Sequence, residues 1–383
     1  MYKFKITYDV NENEWDSYLK NNPNSSFFQS ANFLKIQTEN RIPVFIHIFD
    51  QHNKIECQLG LVITKTYSPY STKKLNKFTE LISKFGNRAT WVSGPIIFSN
   101  NDEIRMKVIQ TLILALEELA VKNKLAIIDG YTPPTDLLVN KKYLNEFKIN
   151  GYNNENFTTF VLDLNKSLEE IWVNVAKKAR NDVTRAKRRN VTIKEMKNYE
   201  DFIDFRKLMK IWGKTKGIDI SEQNELIEKD WKSYQKGVQH FFLAFQENEV
   251  ISGLRIGTFN GIAYTHQVLN TYSQSTSLGG SLLTWHAIEW SKNNNMRIYD
   301  LSGIKSEPKN SIELEKHNEQ WKGLAEYKKK WGGNELEYHH LIKTRKSIMY
   351  KLFRLLSRPD FLYREYKRKH FHKPLKQNGE NLT

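Results

Sequence analysis

The chain has a single cysteine, Cys57, among its 383 residues, so an internal disulfide and a cysteine-based metal cluster are both excluded. Cys57 lies in a stretch that alternates apolar and polar residues, which predicts a buried thiol on a strand. Histidine spacing offers no metal site either, because His339 and His340 are adjacent and would point to opposite faces of a strand. We therefore predict neither a metal nor a cofactor.

Long apolar runs are also missing. Residues 1–10 lack the apolar core of a signal peptide, and no stretch approaches the about 18–20 apolar residues of a membrane-spanning helix. Neither a Gly-x-Ser-x-Gly elbow nor a P-loop occurs. We expect a cytoplasmic protein, either soluble or peripheral at the inner face of the membrane.

Positive charge, by contrast, is in excess. The chain has 59 Lys and Arg against 43 Asp and Glu, a formal net charge of +16. Such an excess favours polyanionic partners such as RNA, DNA, anionic lipid or phosphorylated small molecules, although it could serve solubility alone. With 39% hydrophobic and 13% aromatic residues, the chain can fill the cores of two ordinary domains.

The two halves of the chain follow the same pattern. Each begins with an apolar strand that leads into a tryptophan-containing helix, at 4–11 and again at 160–165. Later, each half has a helix, an asparagine-containing turn and a strand that ends in an aspartate, Asp129 or Asp300. We predict two copies of one α/β module with these aspartates at equivalent strand ends. Chance similarity of two generic strand–helix units is the alternative.

Some elements of the first half carry clear start signals. Ser30 is a suitable N-cap for a short helix, and Asn101 with Asp102 starts a long amphipathic helix to about Lys122. A continuous strand is expected over 90–98.

The second half also predicts a β-meander. Strand patterns over 241–245, 250–259 and 262–269 are joined by a hairpin and by an Asn-Gly turn at 260–261, and a helix over 282–290 follows. This is the order of core elements in GNAT N-acetyltransferases. We therefore predict an α/β fold with mixed sheets and two tandem GNAT-like domains.

A dense basic helix is predicted over 177–189. Like charges fall on shared faces of this helix, so they would repel unless an anion neutralises them, and arginine offers a planar fork to phosphate oxygens. Lys177, Arg180 and Arg185 are therefore candidate substrate-binding residues. A solvated basic face is the alternative.

Residues 323–333 read Gly-Leu-Ala-Glu-Tyr-Lys-Lys-Lys-Trp-Gly-Gly. The glycine pair predicts a turn that could pack closely against a ligand or a strand. Lys328, Lys329 and Lys330 would provide a positive field for phosphate or for developing negative charge. An exposed basic hairpin turn is the alternative.

A second glycine pair, Gly279 and Gly280, precedes the helix predicted from residue 282. In GNAT acetyltransferases a glycine-rich loop at a helix start holds the pyrophosphate of coenzyme A with backbone N–H groups. The glycines here are paired rather than spaced in that pattern, so a plain helix-start turn is the alternative to phosphate binding.

Residues 346–383 form a basic tail. Apolar positions between 348 and 356 would share one helical face, which predicts a helix within 346–372. This helix could lie on an anionic membrane surface, or it could dock on the protein with its basic side in water.

Four segments, in order along nearly the whole chain, resemble the Fem-type (FemABX) peptidyl-aminoacyltransferases. They are residues 26–35, the strand 159–164 with the basic helix after it, residues 283–287 with 299–304, and the motif at 323–333. The family transfers an amino acid from aminoacyl-tRNA to an amino group of a nucleotide- or lipid-linked peptidoglycan precursor. The resemblance implies two GNAT-like domains, here 1–155 and 156–333, with the first sheet completed by 334–345.

The resemblance also implies roles for individual residues. Lys328 would stabilise the oxyanion that forms when the acceptor amine attacks the tRNA ester, and Tyr327 would shape the site. Arg180 and Lys35 would hold the precursor diphosphate, and Asp129 would lie near the acceptor. The remaining candidates are Tyr299 and Asp300 for substrate, and Lys329, Lys330, Gly279 and Gly280 for tRNA or phosphate. Because the aminoacyl ester is already activated, no covalent nucleophile is needed.

The sequence departs from the family pattern at several points. No heptad run is long enough for the coiled-coil arm of some members, and Tyr327 and Trp331 replace the usual phenylalanines. Phe33 stands where tryptophan is typical, which leaves the alignment of Lys35 open by two positions. Two other functions stay open: an acyl-CoA-dependent N-acyltransferase of envelope sugars or glycolipids, and a non-enzymatic RNA- or membrane-binding module. A monomer is expected.

Overall fold

The structure, a computed structural model, describes residues 2–36, 41–65, 86–134, 141–215, 224–270, 276–305 and 323–345. The basic helix predicted within 346–372 lies outside these residues. Within the described ranges, no helix has the length and apolar character needed to cross a membrane.

Helices and strands alternate along both halves. The helices are α1 (Glu12–Lys20), α2 (Ala31–Leu34), α3 (Asp102–Lys122), α4 (Lys141–Ile149), α5 (Leu168–Asn174), α6 (Lys177–Arg188), α7 (Tyr199–Thr215), α8 (Asn224–Gln235), α9 (Thr276–Asn293) and α10 (323–329). The strands are β1 (Lys3–Thr7), β2 (Arg41–Phe49), β3 (Ile55–Thr64), β4 (Arg88–Trp91), β5 (Ile96–Ile97), β6 (Ile127–Tyr131), β7 (Asn153–Asp163), β8 (Thr192–Glu195), β9 (Gln239–Gln246), β10 (Glu249–Phe259), β11 (Ile262–Asn270), β12 (Ile298–Asp300), β13 (Ile304–Lys305) and β14 (Asn334–Thr344).

These strands form one mixed sheet in the order β1-β2-β3-β4-β6-β14-β7-β12-β11-β10-β9-β8, with β5 paired to β3 and β13 to β7. Each half contains a parallel pair whose members are separated in the chain by a long helix. In the first half β4 pairs with β6 around α3, and in the second β11 pairs with β12 around α9. This repeated order agrees with the two copies of one module that the sequence predicts.

Strand β14 joins the halves. It pairs antiparallel with β6 on one side and with β7 on the other. The chain that follows the Gly-Gly pair therefore runs back between the two halves and makes their sheets continuous.

Local signals account for several element boundaries. The Ser30 hydroxyl accepts a hydrogen bond from the Phe33 N–H, and the Asn101 side chain caps α3, as predicted. Asn260 and Gly261 have positive φ values of 49° and 75°, which is the geometry that a two-residue hairpin between β10 and β11 requires.

One predicted element is wrong in its extent. The continuous strand expected over 90–98 is divided into β4 and β5, because Ser93 has a φ of 54° and Pro95 has no N–H to donate. Residues 323–329 form a helix that was not predicted, and the chain turns at 330–331, next to the glycine pair where a turn was expected.

Each half has its own hydrophobic core. In the first, α3 buries the predicted face of Ile109, Leu112, Leu116 and Leu119. In the second, α6 and α9 cover the sheet, and Trp331 is completely buried among them. Full burial of a large apolar side chain contributes about 1.5–3 kcal/mol. Trp331 therefore anchors the 323–333 motif to the second core.

Candidate active site

The ammonium group of Lys328 lies inside the second half, close to the end of β12. Its Nζ donates hydrogen bonds to the Ser302 carbonyl oxygen at 2.6 Å and to the Gly303 carbonyl oxygen at 3.2 Å. Ser302 has a φ of 65°, a left-handed conformation within the segment that presents these carbonyls. The Lys328 side chain is only 8% exposed. A cation held by two carbonyl dipoles keeps a third N–H for another acceptor.

Burial changes the acidity of this lysine. It lowers the pKa of Lys328 from its ordinary 10.5 to about 8, and the negative charge of Asp300 acts in the opposite direction. At pH 7 a group with this pKa is still about 90% protonated. Lys328 is therefore a cation that can stabilise negative charge, while its pKa lies within reach of a mildly alkaline solution.

Asp300 ends β12 next to this lysine. Burial raises the pKa of its carboxyl group, although the Thr159 hydroxyl, the Ser302 N–H and the charge of Lys328 favour the ionised form. The Ser302 N–H donates to Asp300 Oδ1 at 2.7 Å, and the Thr159 hydroxyl bonds to the same oxygen. The neighbouring Tyr299 phenol accepts a hydrogen bond from Thr265 at 2.9 Å. Both predicted substrate residues are thus buried beneath the site.

Tyr327 holds α10 against α9. Its hydroxyl lies 2.7 Å from Thr284 Oγ1 and donates to the Gly280 carbonyl oxygen at 3.2 Å. Burial raises the pKa of this phenol to about 12, so it is neutral at physiological pH. Tyr327 therefore fixes the position of Lys328, the next residue in the chain.

Lys330 lies on the other side of the tyrosine ring. Its Nζ is 4.4 Å from the ring centroid of Tyr327, 3.4 Å from Ser281 Oγ and 3.7 Å from Asp182 Oδ2 in α6. Lys329, by contrast, is exposed and pairs with Glu335 at 3.3 Å. The three consecutive lysines thus occupy three different environments.

The glycine pair lets the motif approach the protein backbone closely. Gly332 has a φ of 79°, and a Cβ atom there would lie 2.4 Å from the Asn174 carbonyl oxygen. A Cβ atom on Gly333 would meet the backbone nitrogen of Val161 in β7 at 3.0 Å. The close approach predicted from the two glycines is therefore made to a helix end and to a strand.

Gly279 and Gly280 lie within α9, because this helix begins at Thr276 rather than at residue 282. A Cβ atom on Gly279 would come within 2.7 Å of Ser252 Oγ, and one on Gly280 within 2.7 Å of Asn270 Oδ1. These glycines let the helix pack closely on β10 and β11. A role in phosphate binding stays a prediction.

Asp129 belongs to a separate cluster in the first half, and it lies in the middle of β6 rather than at a strand end as predicted, because pairing with β4 and β14 extends the strand to Tyr131. The Arg88 guanidinium binds its carboxylate through two nitrogens, Thr90 Oγ1 donates at 3.0 Å, and His340 Nε2 lies 2.8 Å from Oδ2. Burial would raise the pKa of Asp129, but the hydrogen bonds and charges of Arg88 and His340 outweigh it and hold the pKa below its usual value. His340 also approaches Glu155 at 3.4 Å.

The remaining predicted residues lie at the surface or in other contacts. Lys35 Nζ pairs with Asp9 at 2.6 Å and donates to the Val10 carbonyl oxygen at 3.1 Å, so its charge is largely compensated within the first half. Lys177 and Arg185 are exposed on α6, and Arg180 is half-buried with its Nε lacking a partner among the described residues.

The structure thus brings together Lys328, Tyr327, Lys330, Gly280, Tyr299 and Asp300. Asp129 and Lys35 have their own partners in the first half. Sequence reasoning missed Thr159, Ser302 and Thr284 as the groups that orient the site. All three lie in segments that the family resemblance had marked, but the resemblance assigned no role to any of them.

Comparison with known proteins supports the architecture. No family model and no curated protein matches the chain. Among solved structures, that of FemX superposes with a TM-score of 0.64 at 14% sequence identity, over 92% of this chain and all of the other. The chain has the GNAT-like fold of FemX.

Two further structures agree with this assignment. The structure of L-PGS from Bacillus licheniformis superposes over 91% of this chain and 96% of its own, with a TM-score of 0.53 and 10% identity. A tandem GNAT protein from the clavulanic acid biosynthesis pathway superposes over 90% of this chain and 98% of its own, with the same TM-score and identity. The predicted α/β fold of two tandem GNAT-like domains is confirmed, and the described residues contain no coiled-coil arm.

Proposed function

We propose that this protein is an aminoacyltransferase that moves an amino acid from aminoacyl-tRNA to an amino group of a peptidoglycan-type precursor. The observation that carries the proposal is the buried Lys328 ammonium group. It is held by two carbonyl oxygens at the end of β12 and is still protonated at neutral pH. The likeness of the fold to FemX and to L-PGS supports the same reading.

The proposed chemistry needs little from the protein beyond position and charge. The acceptor nitrogen attacks the ester carbonyl carbon, and the carbonyl oxygen gains a negative charge that the free N–H of Lys328 stabilises. The C–O bond to the tRNA ribose then breaks, and the nitrogen loses one proton as the amide forms, which balances the proton that the ribose oxygen gains on leaving as a hydroxyl group. Preorganised donors of this kind typically contribute about 10²–10³ in rate. Tyr327 contributes by positioning α10 rather than by exchanging a proton.

The basic surfaces have roles in this proposal as well. Arg180, Lys177 and Arg185 of α6, together with Lys35, would bind the diphosphate of a nucleotide- or lipid-linked precursor. Lys330 and Lys329 would face the phosphates of the tRNA. Asp129 would lie at the acceptor side.

The organisation of the chain is part of the proposal too. Domains at 1–155 and 156–333 would be joined through 334–345, and residues 346–372 of the basic tail would contact an anionic membrane from the cytoplasmic side. A monomer is sufficient for this arrangement, because Lys328 and the groups around it come from one chain.

Transfer from acyl-CoA is the second candidate, since the tandem GNAT protein from the clavulanic acid biosynthesis pathway, whose structure was determined without AcCoA, has a similar fold. The glycine pair that would hold the pyrophosphate lies inside α9 and contacts Ser252 and Asn270. Direct packing of both glycines against side chains disfavours a coenzyme A cradle at this position.

A label-transfer experiment separates the two candidates. Purified protein receives envelope precursors with either labelled aminoacyl-tRNAs or labelled acetyl-CoA. We expect transfer from aminoacyl-tRNA that is lost on RNase treatment and in Lys328→Ala. Lys292→Ala is the matched control, because Lys292 is another partly buried lysine that donates to a backbone carbonyl, that of Leu164, at 2.9 Å. Transfer from acetyl-CoA alone would overturn the proposal.

A further inference from the structure

The segment that holds the Lys328 ammonium group is in contact with a tyrosine from β14, the strand that joins the two halves. Ser302 and Gly303 supply the two carbonyl oxygens to which Lys328 Nζ donates, at 2.6 and 3.2 Å. A Cβ atom on Gly303 would overlap the hydroxyl oxygen of Tyr338. This hydroxyl group therefore occupies the space that a side chain at position 303 would fill, and it packs directly against the backbone there.

The two residues of this segment are held by different groups. The Ser302 N–H donates to Asp300 Oδ1 at 2.7 Å, and the Ser302 hydroxyl donates to the carbonyl oxygen of Thr265 in β11. These bonds fix residue 302, whereas the contact with Tyr338 is made at residue 303. Since each residue gives Lys328 one acceptor, the positions of the two acceptors depend on different neighbours.

Tyr338 is itself fixed by a cluster of aromatic rings that spans three strands. Its ring centroid lies 5.6 Å from that of Phe157 in β7 and 6.1 Å from that of Tyr131 in β6, and the last two are 5.2 Å apart. Tyr338 and Phe157 are also directly paired in the sheet. Because strands on both sides of β14 hold the ring, the sheet sets the position of its hydroxyl group.

The hydroxyl group of Tyr338 carries no charge at physiological pH. Burial raises the pKa of this phenol, and the negative charge of Asp300 acts in the same direction. The charge of Asp300 also favours the protonated form of Lys328, so both side chains respond to one carboxylate. A neutral phenol adds no charge to the site, so its effect on Lys328 is exerted through position.

We propose that Tyr338 is a positioning residue for Lys328. Its hydroxyl group contacts Gly303 and thereby keeps the Gly303 carbonyl oxygen within hydrogen-bonding distance of the ammonium group. A hydrogen bond to the charged form of a group favours that form, so this contact helps to keep Lys328 protonated near neutral pH. The catalytic use of this effect rests on the proposed function, but the contact itself is measurable without any activity.

Competitive labelling of the full chain with acetic anhydride across a range of pH, read by mass spectrometry, gives the pKa of Lys328 directly. We expect Tyr338→Phe and Gly303→Ala each to lower this pKa by about one unit. Loss of one hydrogen bond to a charged group changes an acid constant about tenfold or more. In transfer assays the alkaline decline of kcat/KM should move to lower pH by the same amount.

Tyr131→Phe is the matched control. It removes the hydroxyl group of another tyrosine in the same ring cluster, whose ring packs on Tyr338. The pKa of Lys328 should be the same in this variant as in the wild type. The double variant Gly303→Ala/Tyr338→Phe should shift the pKa about as much as either single change, because both changes break one contact.

Three results would overturn the inference: a wild-type pKa of Lys328 in Tyr338→Phe, equal shifts in both tyrosine variants, and additive shifts in the double variant. Should Tyr338→Phe fail to fold, Gly303→Ala against Tyr131→Phe decides the matter. A shift in Tyr338→Phe without aminoacyl transfer by the wild type would support the contact and reject the proposed function. Transfer without a shift would reject the contact alone.

Discussion

Asp129 and Asp300 lie in equivalent strands of the two halves, Asp129 in the middle of β6 and Asp300 at the end of β12, but their charges are balanced in different ways. Asp129 is fully buried. Its carboxylate accepts hydrogen bonds from two nitrogens of Arg88 and also contacts His340 Nε2. Asp300 is 5% exposed and accepts hydrogen bonds from Thr159 and from the Ser302 backbone, with no lysine or arginine in ion-pair contact among the described residues. The pKa of the first is lowered and that of the second is raised.

This difference indicates that the buried aspartate has a structural role in the first half and lies at a chemical site in the second. In the first half, the ion pair between Arg88 and Asp129 joins β4 to the middle of β6. In the second half the nearest cation, Lys328, is held by carbonyl oxygens instead and keeps a donor for a ligand. A buried charge that its own structure does not fully compensate is a common mark of a functional site.

The largest expected effect is on Lys328. We expect Lys328→Ala to lower kcat/KM for aminoacyl transfer about 10²–10³-fold while the midpoint of urea unfolding changes little. The physical reason is the loss of a preorganised cation at the developing oxyanion. The measurement is initial transfer rate, with Lys292→Ala run in parallel. If both variants lost activity equally, Lys328 would have only a structural role.

The next largest effect is on the free energy of unfolding, which should respond differently to the loss of each carboxylate. Asp129→Asn should lower the free energy of unfolding by about 2 kcal/mol, because it breaks a buried pair whose arginine is 42% exposed and hence partly hydrated. Asp300→Asn should change it by less than about 1 kcal/mol, since removal of the buried charge offsets weaker hydrogen bonds. Urea denaturation at pH 7 measures both. Equal losses would show that the two sites do not differ in this way.

A third test concerns the alkaline pH dependence of activity. With a pKa of about 8, Lys328 loses its proton above that pH, so kcat/KM should fall about tenfold per pH unit on the alkaline side. In Lys328→Arg the residual activity should lack this decline, because a guanidinium stays charged. The pH–rate profile from pH 6 to 10 gives the answer. An unchanged alkaline limb in Lys328→Arg would assign it to another group.

The smallest expected effect concerns the stability at acidic pH, where the contributions of Asp129 and Asp300 to the free energy of unfolding change in opposite directions with pH. The folded-state pKa of Asp129 is below 3.8, so its contribution to stability is present above pH 3.8 and is lost as the pH falls through the folded value. The folded-state pKa of Asp300 is above 3.8, so its contribution declines as the pH rises from 3.8 through that value. Unfolding free energies of wild type, Asp129→Asn and Asp300→Asn between pH 3 and 7 should diverge accordingly. Parallel curves would contradict the comparison.

Much of the fold could be predicted from the sequence, because its signals are local. Ser30, Asn101 and the Asn260–Gly261 turn gave correct boundaries, since a cap or a positive φ depends on a few neighbouring residues. The α9 start was placed too late because Gly279 and Gly280 look like a turn in isolation. Their place in a helix depends on contacts with Ser252 and Asn270, which are distant in the chain.

The candidate site was only partly accessible to the same reasoning. Lys328 and Tyr327 were found through a family resemblance, and the structure adds the Ser302 and Gly303 carbonyls that hold the ammonium group. The contact of Arg206 in α7 and Arg255 in β10 with Asp230 in α8 had no signal, because these residues come from three separate helices and strands. Nothing in their spacing along the chain indicates that they meet.

The sequence by itself determined the repeated order of strands and helices, because the hydrophobic period acts through near neighbours. It also determined the excess of positive charge and the close packing that the glycine pair of the 323–333 motif permits. Only the tertiary structure decided which charges are compensated. Asp129 meets Arg88 and His340 across 41 and 211 residues of chain, whereas Asp300 meets Thr159 across 141. The pKa of a buried group depends on desolvation and on such distant partners, which exist only after the sheet has formed.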